Sequence, residues 1–295
     1  MENTKINTKK VIAVGNFDGV HLGHVKVLKT AAKLAIERNE SSAALTFMPH
    51  PKDFFFGEGT VRKITDNKTK TELILKTGIG EHITEKFNQT IANMNAEEFV
   101  LLLKTKYNCS IIVCGANFRF GKKAAYTTED LKNACEKYNM TAVICVYKEG
   151  FSSTAVRDFL LEGKVDKAAH ILGRPFEIYG KVLHGRHLGT EIGFPTVNLT
   201  SHPNLILPKF GVYETKVICD NEVFTGITNV GIAPTVSDSK NIRTETFLLN
   251  TNKDLYEKDI KVEFIKFIRP EKKFESLNAL KEQIAADLTQ IENCF

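Results

Sequence analysis

GNFDGVHLGH, residues 15–24, follows the apolar run Val11-Ile12-Ala13-Val14 and precedes apolar residues at Val25, Leu28, Ala31, Ala32, Ala35 and Ile36. The run reads as a buried strand. The spacing after it reads as an amphipathic helix over Val25–Glu37. The decapeptide therefore occupies a strand-to-helix turn, the place where open α/β sheets bind ligands. Gly15 and Gly19 permit a tight turn, and Gly23 a close approach of backbone or ligand. The free N–H groups and positive dipole end of the helix favour an anion. His21 and His24 add donors for phosphate oxygens. The stretch is read as a phosphate cradle in which Gly15, Asn16, Phe17, Asp18 and Gly23 shape the loop. Asn16 and Asp18 are candidates for orienting the loop or a nucleotide, and Asp18 equally for a turn. It is not a P-loop: GANFRFGK, 115–122, has five residues between its glycines, and Lys123 follows Lys122 where that motif needs four residues and a hydroxyl.

Strand and helix periods keep alternating downstream. Ala43–Phe47, Ser110–Cys114 and Thr141–Tyr147 read as strands. Thr71–Thr77, Ala96–Lys106 (with Asn95 as N-cap) and Thr128–Tyr138 read as helices. Ser152 or Ser153 caps a helix ending near Gly163, and a short one runs to Leu172. Such alternation predicts an α/β domain with parallel strands. After Gly173-Arg174-Pro175 the texture turns β-rich, with runs at Glu177–Leu183, Gly211–Ile218, Val223–Val230, Arg243–Leu249 and Ile260–Ile268, suggesting an antiparallel sheet or barrel. A helix from Ser276 to about Ile291 closes the chain. The domains are placed at 1–175 and 176–295.

The 295 residues carry 42% hydrophobic side chains and a net charge of +5, from 40 basic and 35 acidic residues. That supports a packed interior. The mild, spread-out positive excess suits phosphate-bearing small molecules and argues against nucleic acid, which needs a clustered patch. Six cysteines show neither C-x-x-C nor metal spacing; they read as small core residues in a reducing, cytoplasmic setting. The polar N-terminus is no signal peptide. No apolar run approaches the roughly 20 residues of a membrane span.

H-x-G-H after a first strand resembles the adenylyltransferases with a Rossmann-like fold. Phe151-Ser152-Ser153-Thr154-Ala155-Val156-Arg157 resembles their S-S-T-x-x-R element, which implies that Ser152, Ser153, Thr154 and Arg157 hold nucleotide phosphates. Leu45-Thr46-Phe47-Met48-Pro49-His50-Pro51 and Asn117-Phe118-Arg119-Phe120-Gly121 resemble the flavin side of the FMN adenylyltransferase module of bacterial FAD synthetases. The resemblance implies flavin binding by Phe47, Pro49, His50, Pro51, Asn117, Phe118, Arg119 and Phe120. It also implies charge neutralisation by His21, His24 and Arg157, with Mg²⁺ on the ATP phosphates.

The C-terminal part resembles the riboflavin kinase module of the same bifunctional enzymes. Gly193-Phe194-Pro195-Thr196-Val197-Asn198, Gly231-Ile232-Ala233-Pro234-Thr235, Asp254-Leu255-Tyr256 and Arg269-Pro270-Glu271-Lys272-Lys273-Phe274 carry that likeness. It implies a six-stranded antiparallel β-barrel with a terminal helix, Glu245 as base, Thr196 and Asn198 as Mg²⁺–ATP ligands, and Arg269 at the flavin. The implied reactions are riboflavin to FMN and FMN to FAD, each with ATP, in a monomer or weak homo-oligomer that needs neither nucleic acid nor membrane. Met48, Asn117, Thr190, Phe247 and Asn250 depart from the family pattern. They leave open two alternatives: a monofunctional FMN adenylyltransferase with an inactive barrel, and a flavin-binding or sensing protein without turnover.

Overall fold

The computed structural model describes residues 8–147, 149–183, 196–199, 204–232, 242–249, 251, 253, 255–272 and 274–292. The chain divides into two compact units, Met1–Ser153 and Thr154–Phe295.

In the first unit, β1 (Lys10–Val14), β2 (Ser41–Met48), β3 (Glu81–Lys86), β4 (Cys109–Gly115) and β5 (Thr141–Cys145) form a parallel sheet in the order β3-β2-β1-β4-β5. Strand order reverses between β1 and β4, and a crevice for ligands opens beyond the carboxyl ends of strands at such a point. Alternate side chains face opposite sides. Val11, Ala13, Ala44, Ile111 and Val113 pack with α1 (Leu22–Glu37). Ile12, Leu45, Ile112 and Cys114 pack with α5 (Ala96–Tyr107) and α6 (Thr128–Lys137). The shorter helices are α2 (Pro51–Phe56), α3 (Asn67–Leu75) and α4 (Gln89–Asn93).

Several boundaries differ from the periodicity for visible reasons. The first helix starts at Leu22 rather than Val25 because His21 accepts from the His24 N–H and acts as its N-cap. Capped by Asp66, α3 starts at Asn67, four residues ahead of the expected Thr71. The strand β3, Glu-His-Ile-Thr-Glu-Lys, is an edge strand too polar to give an apolar run. The last strand ends at Cys145, so Val146 and Tyr147 leave the sheet.

The second unit contains α7 (Ser153–Glu162, beginning on the last residue of the first unit) and α8 (Val165–Leu172). Strands β6 (Phe176–Leu183), β7 (Thr196–Leu199), β8 (Gly211–Cys219), β9 (Glu222–Ile232), β10 (Ile242–Leu248) and β11 (Asp259–Arg269) follow, then α9 (Leu277–Glu292). The strands close into an antiparallel barrel in the order β10-β7-β6-β11-β8-β9. Asp220 and Asn221, both at positive φ, make the two-residue turn between β8 and β9, the residue types such a hairpin demands. Phe176, Ile178, Tyr213, Val217, Val262 and Phe264 fill the interior. A chain of hydroxyls crosses it: Thr215 to Thr228 at 2.7 Å and Thr228 to Thr246 at 2.8 Å, all fully buried.

Among the described residues no helix is long and apolar enough to cross a membrane. The five cysteines described are free and buried, and burial pushes the Cys109, Cys114 and Cys135 thiols up.

Candidate active sites

The loop after β1 is strapped from two sides. The Asp18 carboxylate accepts the N–H groups of Ile64 at 3.0 Å and Thr65 at 3.4 Å, and Gly19 N–H donates to Thr65 Oγ1. Ser153 Oγ donates to the Asp18 carbonyl at 2.9 Å. Within the loop Phe17 and Val20 hold left-handed backbone, at φ 49° and 40°. That conformation is costly for a β-branched residue and persists where the surroundings impose it. Asp18 is thus a loop-orienting residue in this arrangement.

His21 and His24 meet face to face, their ring centroids 3.6 Å apart at 20°. The Nδ1 atom of His21 accepts the His24 N–H at 3.3 Å, so a neutral His21 carries its proton on Nε2. Phe17 meets His24 edge-on, and the His24 Nδ1 is buried with no hydrogen-bond partner among the described residues. A Cβ on Gly23 would come within 3.0 Å of the His21 ring, which gives the glycine of the H-x-G-H element its reason. Burial first, and the His21 charge second, hold His24 well below the ordinary histidine value of 6.5. Burial therefore favours the neutral form of His24.

These shifts set a pH dependence. His82, bridging Thr46 and Thr71 at 2.8 Å each, is lowered to about 4 by burial and by Lys70. Both histidines bind protons more readily unfolded than folded, so stability rises with pH through their titration. The ligand-free protein is expected to lose thermal stability progressively as pH falls from 6.5 toward 4. Calorimetry of the wild type beside His82→Gln, which removes the His82 share of the slope across that window, checks it.

A cavity of about 340 Å³ opens at the carboxyl ends of the strands, large enough for a small-molecule ligand. Phe47, Pro51, Asn117, Phe118, Arg119 and Phe120 line it, as do Gly15 and Asn16 of the histidine loop. It is therefore continuous with the histidine loop. Phe118 and Phe120 stack at 5.4 Å. Pro49 follows a cis peptide bond and lies outside the lining, as does His50, which caps α2 and reaches Asn16 at 3.2 Å. Sequence reasoning missed Phe55, Phe87, Ile91 and Phe99 in the wall. The signal for the first was the run Phe54-Phe55-Phe56 directly after the Pro-His-Pro turn. Half-buried Ser152 lies just before α7, and Thr154 and Arg157 lie on that helix within the second unit.

On the barrel, ladder register places Glu245 opposite Asn198 on one side and Asn229 on the other. Their neighbours Thr244 and Thr246 are fully buried in the interior, so the three polar residues share the outer face. Asn198 is nonetheless buried, and its Oδ1 has no hydrogen-bond partner among the described residues. The row continues through Val212 to Arg269. Arg269, expected at the flavin, makes a two-pronged ion pair with the buried Asp287 of α9, at 2.9 Å from both Nε and Nη2. Gln283 donates to the same carboxylate. Thr196 pairs with Phe247 in the ladder. Thr190, Gly193–Pro195, Ala233–Thr235, Asn250, Asp254 and Lys273 lie outside the described residues. No cluster of three or more His, Cys, Asp or Glu suited to a metal occurs among the described residues. A cation here would need nucleotide phosphates among its ligands, the usual habit of Mg²⁺.

The family model for FAD synthetase matches residues 3–155 and that for riboflavin kinase matches residues 172–295. A bifunctional riboflavin kinase/FMN adenylyltransferase of Buchnera aphidicola subsp. Schizaphis graminum is 38% identical over 299 residues, covering 99% of this chain and 96% of its own. The same-named protein of Listeria monocytogenes is 31% identical, covering 97% and 92%. A solved structure described as a macrolide-efflux protein from Streptococcus pneumoniae superposes with a TM-score of 0.86 at 29% identity, over 95% of this chain and 93% of that one.

Proposed function

Because the chain belongs to the bifunctional riboflavin kinase/FMN adenylyltransferase family, we propose that its N-terminal half joins FMN to the adenylyl group of ATP at His21, His24 and Arg157, and that its C-terminal half phosphorylates riboflavin with Glu245 as base. Both activities belong to the chain through its two domains. What supports this placement above all is the continuity of the aromatic cavity with the histidine loop at Gly15 and Asn16. A flat aromatic ring system in the cavity leaves a phosphate at its end facing the cradle.

In adenylyl transfer an FMN phosphate oxygen bonds to the α-phosphorus of ATP, the bond from that phosphorus to the bridging oxygen breaks, and pyrophosphate leaves. No protein nucleophile is needed. The work is alignment and neutralisation of growing negative charge. The His21–His24 pair supplies N–H donors, and Ser153 fixes the loop through Asp18. Arg157, Ser152 and Thr154 are assigned to the phosphates on the strength of their motif.

In the kinase reaction the riboflavin 5′-hydroxyl gives its proton to Glu245, its oxygen bonds to the γ-phosphorus, the bond from that phosphorus to the bridging oxygen breaks, and ADP leaves. A carboxylate within hydrogen-bond reach is the device that makes a hydroxyl nucleophilic at neutral pH. The orphaned amide oxygen of Asn198 is a hard donor that fits Mg²⁺, and Thr196 joins it by motif. The ion, when bound with ATP, neutralises charge on the transferred phosphoryl group. Arg269, locked to Asp287, fixes α9 against the outer face. Free, buried cysteines favour a reducing cytoplasm.

A chromatographic time course with ATP and Mg²⁺ tests the whole. Riboflavin is expected to pass through FMN to FAD, and FMN to give FAD with pyrophosphate. Absence of FAD from oxidised and from reduced FMN overturns the N-terminal assignment. FAD from FMN without FMN from riboflavin overturns the barrel's. Phe118→Ala is expected to raise KM for FMN about tenfold, the loss of roughly 1–1.5 kcal/mol of ring packing. Riboflavin phosphorylation by the same variant stays at the wild-type rate.

A further inference from the structure

Tyr147 is not part of any motif read above, yet it touches the centre of the first site. It lies two residues beyond β5, half-buried, with its ring 6.3 Å from the His21 ring and inclined at 63°. His24 covers the other neighbour position of His21 by stacking. Two glycines make room for the tyrosine. A Cβ on Gly23 would sit 3.0 Å from its Cδ2, and one on Gly115 would sit 3.0 Å from both Cε1 and the hydroxyl oxygen. The first glycine is in the opening turn of α1 and the second ends β4, so the ring wedges between the two elements that flank the crevice.

The wedge is held by its own backbone. Lys26 Nζ, on the first helix beyond the histidines, donates to the Val146 carbonyl at 2.6 Å. Ala116 N–H donates to the Cys145 carbonyl at 3.0 Å. The two carbonyls immediately before Tyr147 are thereby tied to α1 and to the end of β4. Burial, with Cys114 and Cys145 nearby, pushes the phenol pKa up. The ring therefore stays neutral wherever the histidines titrate.

We propose that Tyr147 is a positioning residue for adenylyl transfer: its ring, pinned by Lys26, holds the His21 imidazole against His24 so that the pair presents its donors to the nucleotide phosphates. This rests on the assignment of His21 and His24 to the phosphates. A ring lost from this wedge frees His21 to rotate, and misplacing a reacting group by an ångström costs about 100-fold.

Tyr147→Ala is expected to lower kcat for FAD formation from FMN about 10- to 100-fold while KM for FMN stays within about twofold. Tyr147→Phe keeps the ring and recovers most of the rate. Lys26→Met gives a smaller loss in the same direction. Circular dichroism and thermal unfolding of each variant report that the first unit is folded, and riboflavin phosphorylation reports the same of the barrel. Imidazole NMR signals of His21, assigned with His21→Asn, should shift in Tyr147→Ala and stay in place in Tyr147→Phe. Wild-type kcat and unmoved His21 signals in Tyr147→Ala would overturn the proposal. So would a Tyr147→Phe loss equal to that of Tyr147→Ala, because the hydroxyl and not the wedge would then matter. If His21→Asn and His24→Ala leave FAD formation intact, the underlying assignment fails instead.

Discussion

His24→Ala is expected to lower kcat for FAD formation by about 10²–10³, the effect of removing one preorganised donor from a site of developing charge. His24 is the cleaner of the two histidines to remove. Its Nδ1 has no hydrogen-bond partner among the described residues, so the fold loses its packing against Phe17 and His21. His21→Ala also removes an N-cap, which costs about 1 kcal/mol of stability; His21→Asn keeps a cap acceptor and separates the two roles. The stacked pair adds a proton signature. Two imidazolium rings at 3.6 Å repel, and burial already disfavours the charge on His24. Anionic nucleotide reverses that preference, so ATP binding takes up a proton and weakens as pH rises through the bound-state pKa. Titration calorimetry in buffers of different ionisation enthalpy measures the uptake. His24→Ala should abolish most of it and leave riboflavin phosphorylation at the wild-type rate.

Glu245→Gln is expected to reduce riboflavin phosphorylation by about 10²–10⁴, the usual contribution of a positioned general base. Conversion of FMN to FAD should be unaffected. The glutamine preserves volume and the strand ladder, so thermal unfolding should barely move. Asn198→Ala, which removes the orphaned oxygen, should instead raise the ATP and Mg²⁺ concentrations needed for half-maximal rate. A Glu245→Gln variant with a full kinase rate would strip the carboxylate of its role and turn attention to Asn198 and Asn229, which flank it on either side.

The histidine loop was legible because glycine, histidine and a flanking strand have few joint uses. The cavity was legible only in part. Phe118 and Phe120 stood in a motif, whereas Phe87 and Phe99 come from segments separated in sequence and meet only because β3 and α5 lie where they do. Tyr147 was hidden for a related reason. It reads as one more β-prone residue at the end of a strand, and its meaning arises from two glycines far away in the chain. In the barrel the motif named Asn198 and Glu245, but the ladder register that sets them side by side is a property of pairing and not of either strand. The polar edge strand β3 lacked the apolar run by which strands are recognised.

The threonine chain inside the barrel has a consequence for the carboxylate outside it. Thr246 and Glu245 are neighbours on one strand and face opposite ways. A slip of β10 by one residue would exchange them. It would seal a carboxylate inside the barrel and break the Thr228–Thr246 hydroxyl contact, errors that together cost several kcal/mol. The hydroxyls thus serve as an index mark. They check the alignment of the strand from the side that no substrate visits, and Thr246→Val would blur the setting of a group it never touches.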